Sequence, residues 1–168
     1  MHPHDLPRRR WLYRINQRIS ASRPGAAIFS RLLHHLDRPL LRLSHGRFSL
    51  ASVLSGTPTV MLTTIGAKTG QPRSVPLVGI QHGDAIGLIA SNWGQKGHPG
   101  WYHNLRAHPR AQLLIGGHRR SYVAHEATGA ERDEYWREAV ALYPGYAAYE
   151  QRTAGRQIPV MVLTPETQ

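Results

Sequence analysis

Two basic side chains bracket a glycine-bearing turn in this chain: Gly66-Ala67-Lys68-Thr69-Gly70-Gln71-Pro72-Arg73. An apolar, β-branched run (Val60 to Ile65) leads into it and a second apolar run leaves it from Val75, the pattern of two antiparallel strands joined by a wide loop. The glycines permit positive φ and expose backbone N–H groups. With Lys68 and Arg73 beside them, such a loop can hold an anion through amide donors and charge-assisted hydrogen bonds. The G-x-x-x-x-G-K-[ST] spacing of a P-loop is absent. The competing reading is a solvated basic hairpin.

Three further stretches carry residues suited to a site wall. Ser91-Asn92-Trp93-Gly94-Gln95-Lys96-Gly97 is a polar, glycine-bearing loop with one large aromatic. His98-Pro99-Gly100-Trp101-Tyr102-His103-Asn104-Leu105 reads as a helix start whose free N–H groups can face an anion. Tyr143, Tyr146 and Tyr149 recur every three residues around Pro144-Gly145, and the last two share a face if helix resumes after Gly145. Core and rim packing is the commoner fate of such aromatics.

Hydrolase machinery is missing: no H-E-x-x-H, no G-x-S-x-G and no carboxylate pair in an apolar setting. The sequence has no cysteine, which excludes disulfides, thiolate metal sites and cysteine nucleophiles. His98, His103 and His108 recur every five residues and do not stack on one helical face, so no metal is assigned to them. A chain so equipped needs a bound cofactor to carry any reaction.

The elements that must position these residues follow from periodicity and turn chemistry. Strands are expected near 59–65, 74–80, 84–91, 110–116, 119–127 and 157–163. Gln81-His82-Gly83-Asp84 and Gly116-Gly117 serve as tight hairpin connections. Helices are expected over about 98–108 and 129–142, the second opened by Thr128 and Glu131 at capping-box spacing. The fold class is mainly β with helices (α+β), a small closed or split antiparallel barrel. A helical arm over residues 1–50 precedes a barrel domain over 51–168. Within the arm, Ile28, Phe29, Leu32, Leu33 and Leu36 mark a second helix ended or kinked by Pro39.

Charge divides the chain in the same place. The formal net charge is +11, and residues 1–50 hold ten Arg against Asp5 and Asp37, leaving the body nearly balanced. Over 8–20, Trp11, Leu12, Ile15 and Ile19 form an apolar face edged by Arg10, Arg14 and Arg18. That pattern suits a helix lying in an anionic membrane interface, and equally a helix packed on its own domain. No run has the roughly 20 apolar residues of a spanning helix and no secretory signal is visible, so a cytoplasmic location is expected, with peripheral contact at the inner membrane face if the arm binds lipid. A nucleic-acid-binding arm is disfavoured because no known motif accompanies the charge.

The wording of the body goes beyond these patterns. T-T-I-G-A-K-T-G-Q-P-R-S-V-P-L, A-S-N-W-G, H-P-G-W-Y-H-N-L-R-A-H-P and Y-P-G-Y-A-A-Y-x-x-R-T, followed by R-Q-I-P-V-M-V-L, closely resemble the deazaflavin-dependent nitroreductase and quinone reductase family, actinobacterial oxidoreductases that use coenzyme F-420. The resemblance spans about Thr57 to Pro165. It implies a split β-barrel of the flavin-reductase type and a deazaflavin with a phosphate and oligoglutamate tail, for which Lys68 and Arg73 would be the clamp; FMN is the less favoured cofactor.

Carried over by matching position, the family's cofactor contacts fall on Ala67, Lys68, Thr69 and Arg73, then Ser74, Val75, Pro76, Leu77 and Val78. They continue on Ile89, Ala90, Ser91 and Asn92, and on Gly100, Trp101, Tyr102, His103 and Asn104. The substrate side falls on Ser91, Tyr143, Tyr146 and Tyr149, with Ser91 and either Tyr143 or Tyr146 as hydrogen-bond donors to the substrate oxygen. Ala67 and Val78 depart from residues common in the family, basic and Tyr respectively. The implied activity is hydride transfer from the reduced deazaflavin to a quinone, activated enone or nitroaromatic. The alternative is a barrel that binds deazaflavin, flavin or lipid without turnover. A homodimer fits the barrel type, and the arm matches a mobile, membrane-directed N-terminal helix of the family.

Overall fold

The computed structural model describes residues 59–153 and 155–167. The arm and its helix patterns over 1–50 lie outside the described residues. Six strands close a barrel: β1 (Thr59–Ile65), β2 (Pro72–His82), β3 (Ala85–Ile89), β4 (Arg110–Ile115), β5 (His118–Glu126) and β6 (Val160–Pro165). All pairings are antiparallel, in the order β1-β2-β3-β6-β5-β4, and β1 closes the ring on β4 through Met61 opposite Leu114. Helices α1 (Gly100–Ala107), α2 (Gly129–Leu142) and α3 (Gly145–Arg152) are inserted between strands. The strands and helices expected over the described residues are all present. β2 runs two residues further at each end, and β6 begins three residues later and ends two later than expected.

Turn chemistry sets the registers. His82 pairs with Ala85 across a two-residue turn with Gly83 at φ 56°, and Ile115 pairs with His118 across Gly116-Gly117, both at positive φ. Two consecutive left-handed positions make the primed turn that matches strand twist. Alternation then sorts each strand into an inner and an outer face.

The inner face forms one apolar cluster, including Val60, Leu62, Leu88, Leu113 and Leu163, into which α1 inserts Trp101, Tyr102 and Leu105. A second cluster lies outside the barrel wall, where α2 and α3 bring Tyr135, Ala139, Tyr146 and Tyr149 against Ile80, Ile89, Val160 and Val162. Gly87 sits under the Tyr135 ring, and a β-carbon there would overlap the ring atoms. His82 stacks on the same Tyr135 with ring centroids 4.4 Å apart and pairs with Glu138, which fastens the β2–β3 hairpin to α2.

The capping box expected at α2 does not form. Thr128 takes an N-cap backbone conformation, but its side chain makes no capping hydrogen bond. Glu131 turns instead to His125 on β5, 3.0 Å away. A cross-element partner outcompetes the local bond, because the helix start is set by docking on the barrel rather than by its own terminus.

Candidate deazaflavin and substrate site

The β1–β2 loop is held mostly by its own backbone. Gly66 N donates to Gln71 O, and both Thr69 N and Gly70 N donate to Gly66 O. Ala67 N donates to Asn104 Oδ1 on α1 at 2.9 Å, and Asn104 Nδ2 donates to Thr64 Oγ1 at 3.0 Å. Thr64 Oγ1 lies 3.5 Å from Arg73 O. The amide donors expected to face an anion are therefore largely engaged within the protein, and this corrects the sequence-based picture of the loop. Lys68 and Arg73 remain: both are exposed, and neither has an ion-pair partner among the described residues. Any grip on an anion comes from these side-chain charges.

Next to Arg73, β2 continues through Ser74, Val75, Pro76, Leu77 and Val78, all half-buried. Val75 and Leu77 pack on the inner cluster without being sealed by it. Ile89 and Ala90 are fully packed, Ile89 in the outer cluster and Ala90 in the inner one, so their side chains serve the core. Trp101 and Tyr102 likewise occupy the barrel core, while Gly100 and His103 are exposed at the start of α1. The Tyr102 hydroxyl donates to Glu126 Oε2 at 2.9 Å, and burial together with that carboxylate pushes its pKa up.

At the end of β3 the chain enters a left-handed turn. Asn92, Trp93 and Gly94 have φ of 47°, 58° and 74°. Non-glycine residues in this region cost about 1–2 kcal/mol each, and such strain concentrates at functional sites. Asn92 Nδ2 closes the loop on Gly97 O at 3.0 Å. Gly94 passes so close to α3 that a β-carbon would sit 3.1 Å from Tyr149 Cα. Ser91 immediately precedes the turn. Its residue is buried, and its hydroxyl has no hydrogen-bond partner among the described residues.

Arg156 was not anticipated from sequence, although R-Q-I-P belongs to the matched wording. Its guanidinium reaches Gln95 O at 3.1 Å and His98 Nδ1 at 2.8 Å, tying the 91–98 loop to the segment after α3. His98 has its pKa lowered by burial and by the Arg156 charge. His98 and His103 face each other at 5.9 Å between centroids, but His108 terminates α1 at its far end, so the three histidines do not form a metal-binding group.

The tyrosines meet at the α2–α3 junction. Tyr143 caps α2, and its hydroxyl lies 3.0 Å from that of Tyr149. Tyr146 and Tyr149 are buried, and burial together with the neighbouring Tyr143 raises the pKa of each. Tyr143 is half-buried, so it is the member of the trio most open to a ligand. Contacts thus link the candidate residues: the Lys68/Arg73 loop to α1 by way of Asn104, His98 beside α1 through Arg156 to the 91–98 loop, and that loop to Tyr149 at Gly94.

The family model for F420H(2)-dependent quinone reductase matches residues 40–165. The chain belongs to this family. It is 35% identical over 143 residues to an F420H(2)-dependent quinone reductase of Mycobacterium tuberculosis strain H37Rv, a match covering 79% of this chain and 95% of that protein. Among solved structures it is similar to an F420-H2 dependent reductase, FDR-A, at 38% identity with TM-score 0.59, covering 63% of this chain and 93% of that one. Another, described as a domain-swapped dimer, is 33% identical with TM-score 0.61, covering 75% and 94%. The resemblance read from the sequence motifs and the flavin-reductase type of barrel are thereby confirmed.

Proposed function

We propose that this family member is an oxidoreductase that passes a hydride from reduced coenzyme F-420 to a quinone. The observation that carries the reading is the pair of exposed cations Lys68 and Arg73, without an ion-pair partner among the described residues, on a loop pinned to α1. A polyanionic tail supplies the charge they lack, and charge-assisted hydrogen bonds to phosphate and carboxylate are the strong kind. When bound, the cofactor supplies the hydride; binding, orientation and charge stabilisation fall to the protein.

The half-buried stretch from Ser74 to Val78 offers an apolar wall for the ring system. Ser91 brings a hydroxyl without a hydrogen-bond partner among the described residues, and Tyr143 a phenol, to where negative charge grows on the substrate oxygen. Such fixed donors stabilise the charge in a site shielded from water. A phenolic O–H can donate a hydrogen bond to that oxygen. Activated enones and nitroaromatics present the same kind of electrophile.

A fluorescence titration with oxidised coenzyme F-420 beside FMN tests the assignment. Selective, salt-sensitive deazaflavin binding that is lost in the Lys68→Ala/Arg73→Ala variant is expected. Preferred FMN binding would move the protein to flavin chemistry, and binding of neither would sink the cofactor reading.

Peripheral contact with anionic membrane through residues 8–20 is supported by the Arg/Trp pattern alone. Salt-sensitive co-sedimentation of the full chain with anionic vesicles tests it. No described helix is long and apolar enough to cross a membrane. A homodimer is supported by the similar chain described as a domain-swapped dimer, and sedimentation velocity reads it.

A further inference from the structure

We propose that Asn104 acts as a positioning residue, setting tail recognition by bracing the β1–β2 loop, beyond the cofactor contact that the family resemblance implies for it. The inference rests on the deazaflavin reading above. Its ground is the direction of the hydrogen bonds. Ala67 N–H can only donate, so the oxygen of the Asn104 amide must face it, and the amide nitrogen is left for Thr64 Oγ1. One planar group thus grips the end of β1 and the first half of the loop together. Through the buried Thr64, whose Oγ1 lies near Arg73 O, the brace also reaches the start of β2.

The loop's own bonds do not replace this brace. Gly66 and Gly70 accept and donate among themselves and Gln71, which shapes the turn but does not orient it on the barrel. Asn104 supplies a side-chain link from α1, and Lys68 stands one residue from the anchored Ala67 while Arg73 follows the loop on β2. A clamp of two long, flexible cations loses affinity through ordering entropy unless its backbone is fixed beforehand. Asparagine is also a weaker helix former than alanine. Within α1 its side chain instead serves a different element.

The test compares two probes on one protein: coenzyme F-420 and its deazaflavin riboside head, which lacks the phosphate and glutamates. Wild type is expected to bind the full cofactor more tightly than the head. In Asn104→Ala that preference should shrink about tenfold, the scale of one or two lost hydrogen bonds, while affinity for the head changes little. A variant damaged only in overall fold would lose both probes in parallel. Thr64→Val, which keeps shape but removes the acceptor, should reduce the preference in the same direction, and it stands in if Asn104→Ala does not fold. Faster hydrogen exchange at the Ala67 amide is expected in both variants. An undiminished preference for the tail in either variant would overturn the inference, as would loss of both probes in parallel in a folded variant. Failure of wild type to bind either probe would instead strike the cofactor reading itself.

Discussion

The Tyr143 and Tyr149 hydroxyls lie 3.0 Å apart, one from the cap of α2 and one from within α3. Tyr149 is buried and pressed on by the close passage of Gly94, so it serves as a fixed anchor for its half-exposed neighbour. The pair converts a mobile phenol into an oriented one. Replacing Tyr143 by Phe should lower quinone turnover by about a hundredfold to a thousandfold, the range of one lost donor at a developing charge. Tyr146→Phe should leave turnover within about twofold, since Tyr146 is enclosed and its hydroxyl has no hydrogen-bond partner among the described residues. Steady-state rates of the two variants at saturating cofactor decide it; equal losses would show that Tyr146 also reaches the substrate.

His98 sits between Arg156 and His103, and burial and the Arg156 charge depress its pKa below the ordinary 6.5. Its neutral form is therefore the one the fold prefers. The unfolded chain binds the proton more readily, so this contribution is full above about pH 6.5 and is lost as pH falls through the depressed value. Thermal melts of wild type from about pH 7.5 to about pH 5 should lose more stability than those of His98→Gln, which keeps an acceptor for Arg156 without a titrating ring. Identical pH profiles would remove His98 from the linkage.

Gly87 lets the Tyr135 ring lie directly on β3. Gly87→Ala should destabilise the fold by about 1–3 kcal/mol, the cost of forcing volume into a packed layer. Urea unfolding at fixed pH reads the change, and the midpoint should fall without a change in slope. A midpoint equal to wild type would mean that α2 shifts freely on the barrel.

Much of the frame was legible in the sequence because alternation and turn residues state it locally. β1 and α2 fall on the expected residues, and both glycine-bearing hairpin turns occur where Gly83 and Gly116-Gly117 require them. What the sequence hid depends on partners far along the chain. Thr128 and Glu131 have the spacing of a capping box, yet His125 takes the glutamate. The loop amides looked available until Asn104, 37 residues away, claimed one of them. Arg156 lies in the matched R-Q-I-P wording, but its role comes from His98, 58 residues away. Motif wording named the candidate site residues, and only the closed barrel shows which of them are core, as with Ala90, Trp101 and Tyr102.

The central claim is that the chain passes a hydride from reduced coenzyme F-420 to a quinone. The most direct measurement follows the return of the oxidised cofactor's visible absorbance when a quinone is added to purified protein and reduced coenzyme F-420. Protein-dependent oxidation is expected, matched by hydroquinone formed one for one, with reduced FMN giving no comparable rate. Cofactor that binds but is oxidised no faster than in buffer, across quinones, enones and nitroaromatics, would contradict the enzyme and leave a carrier in its place.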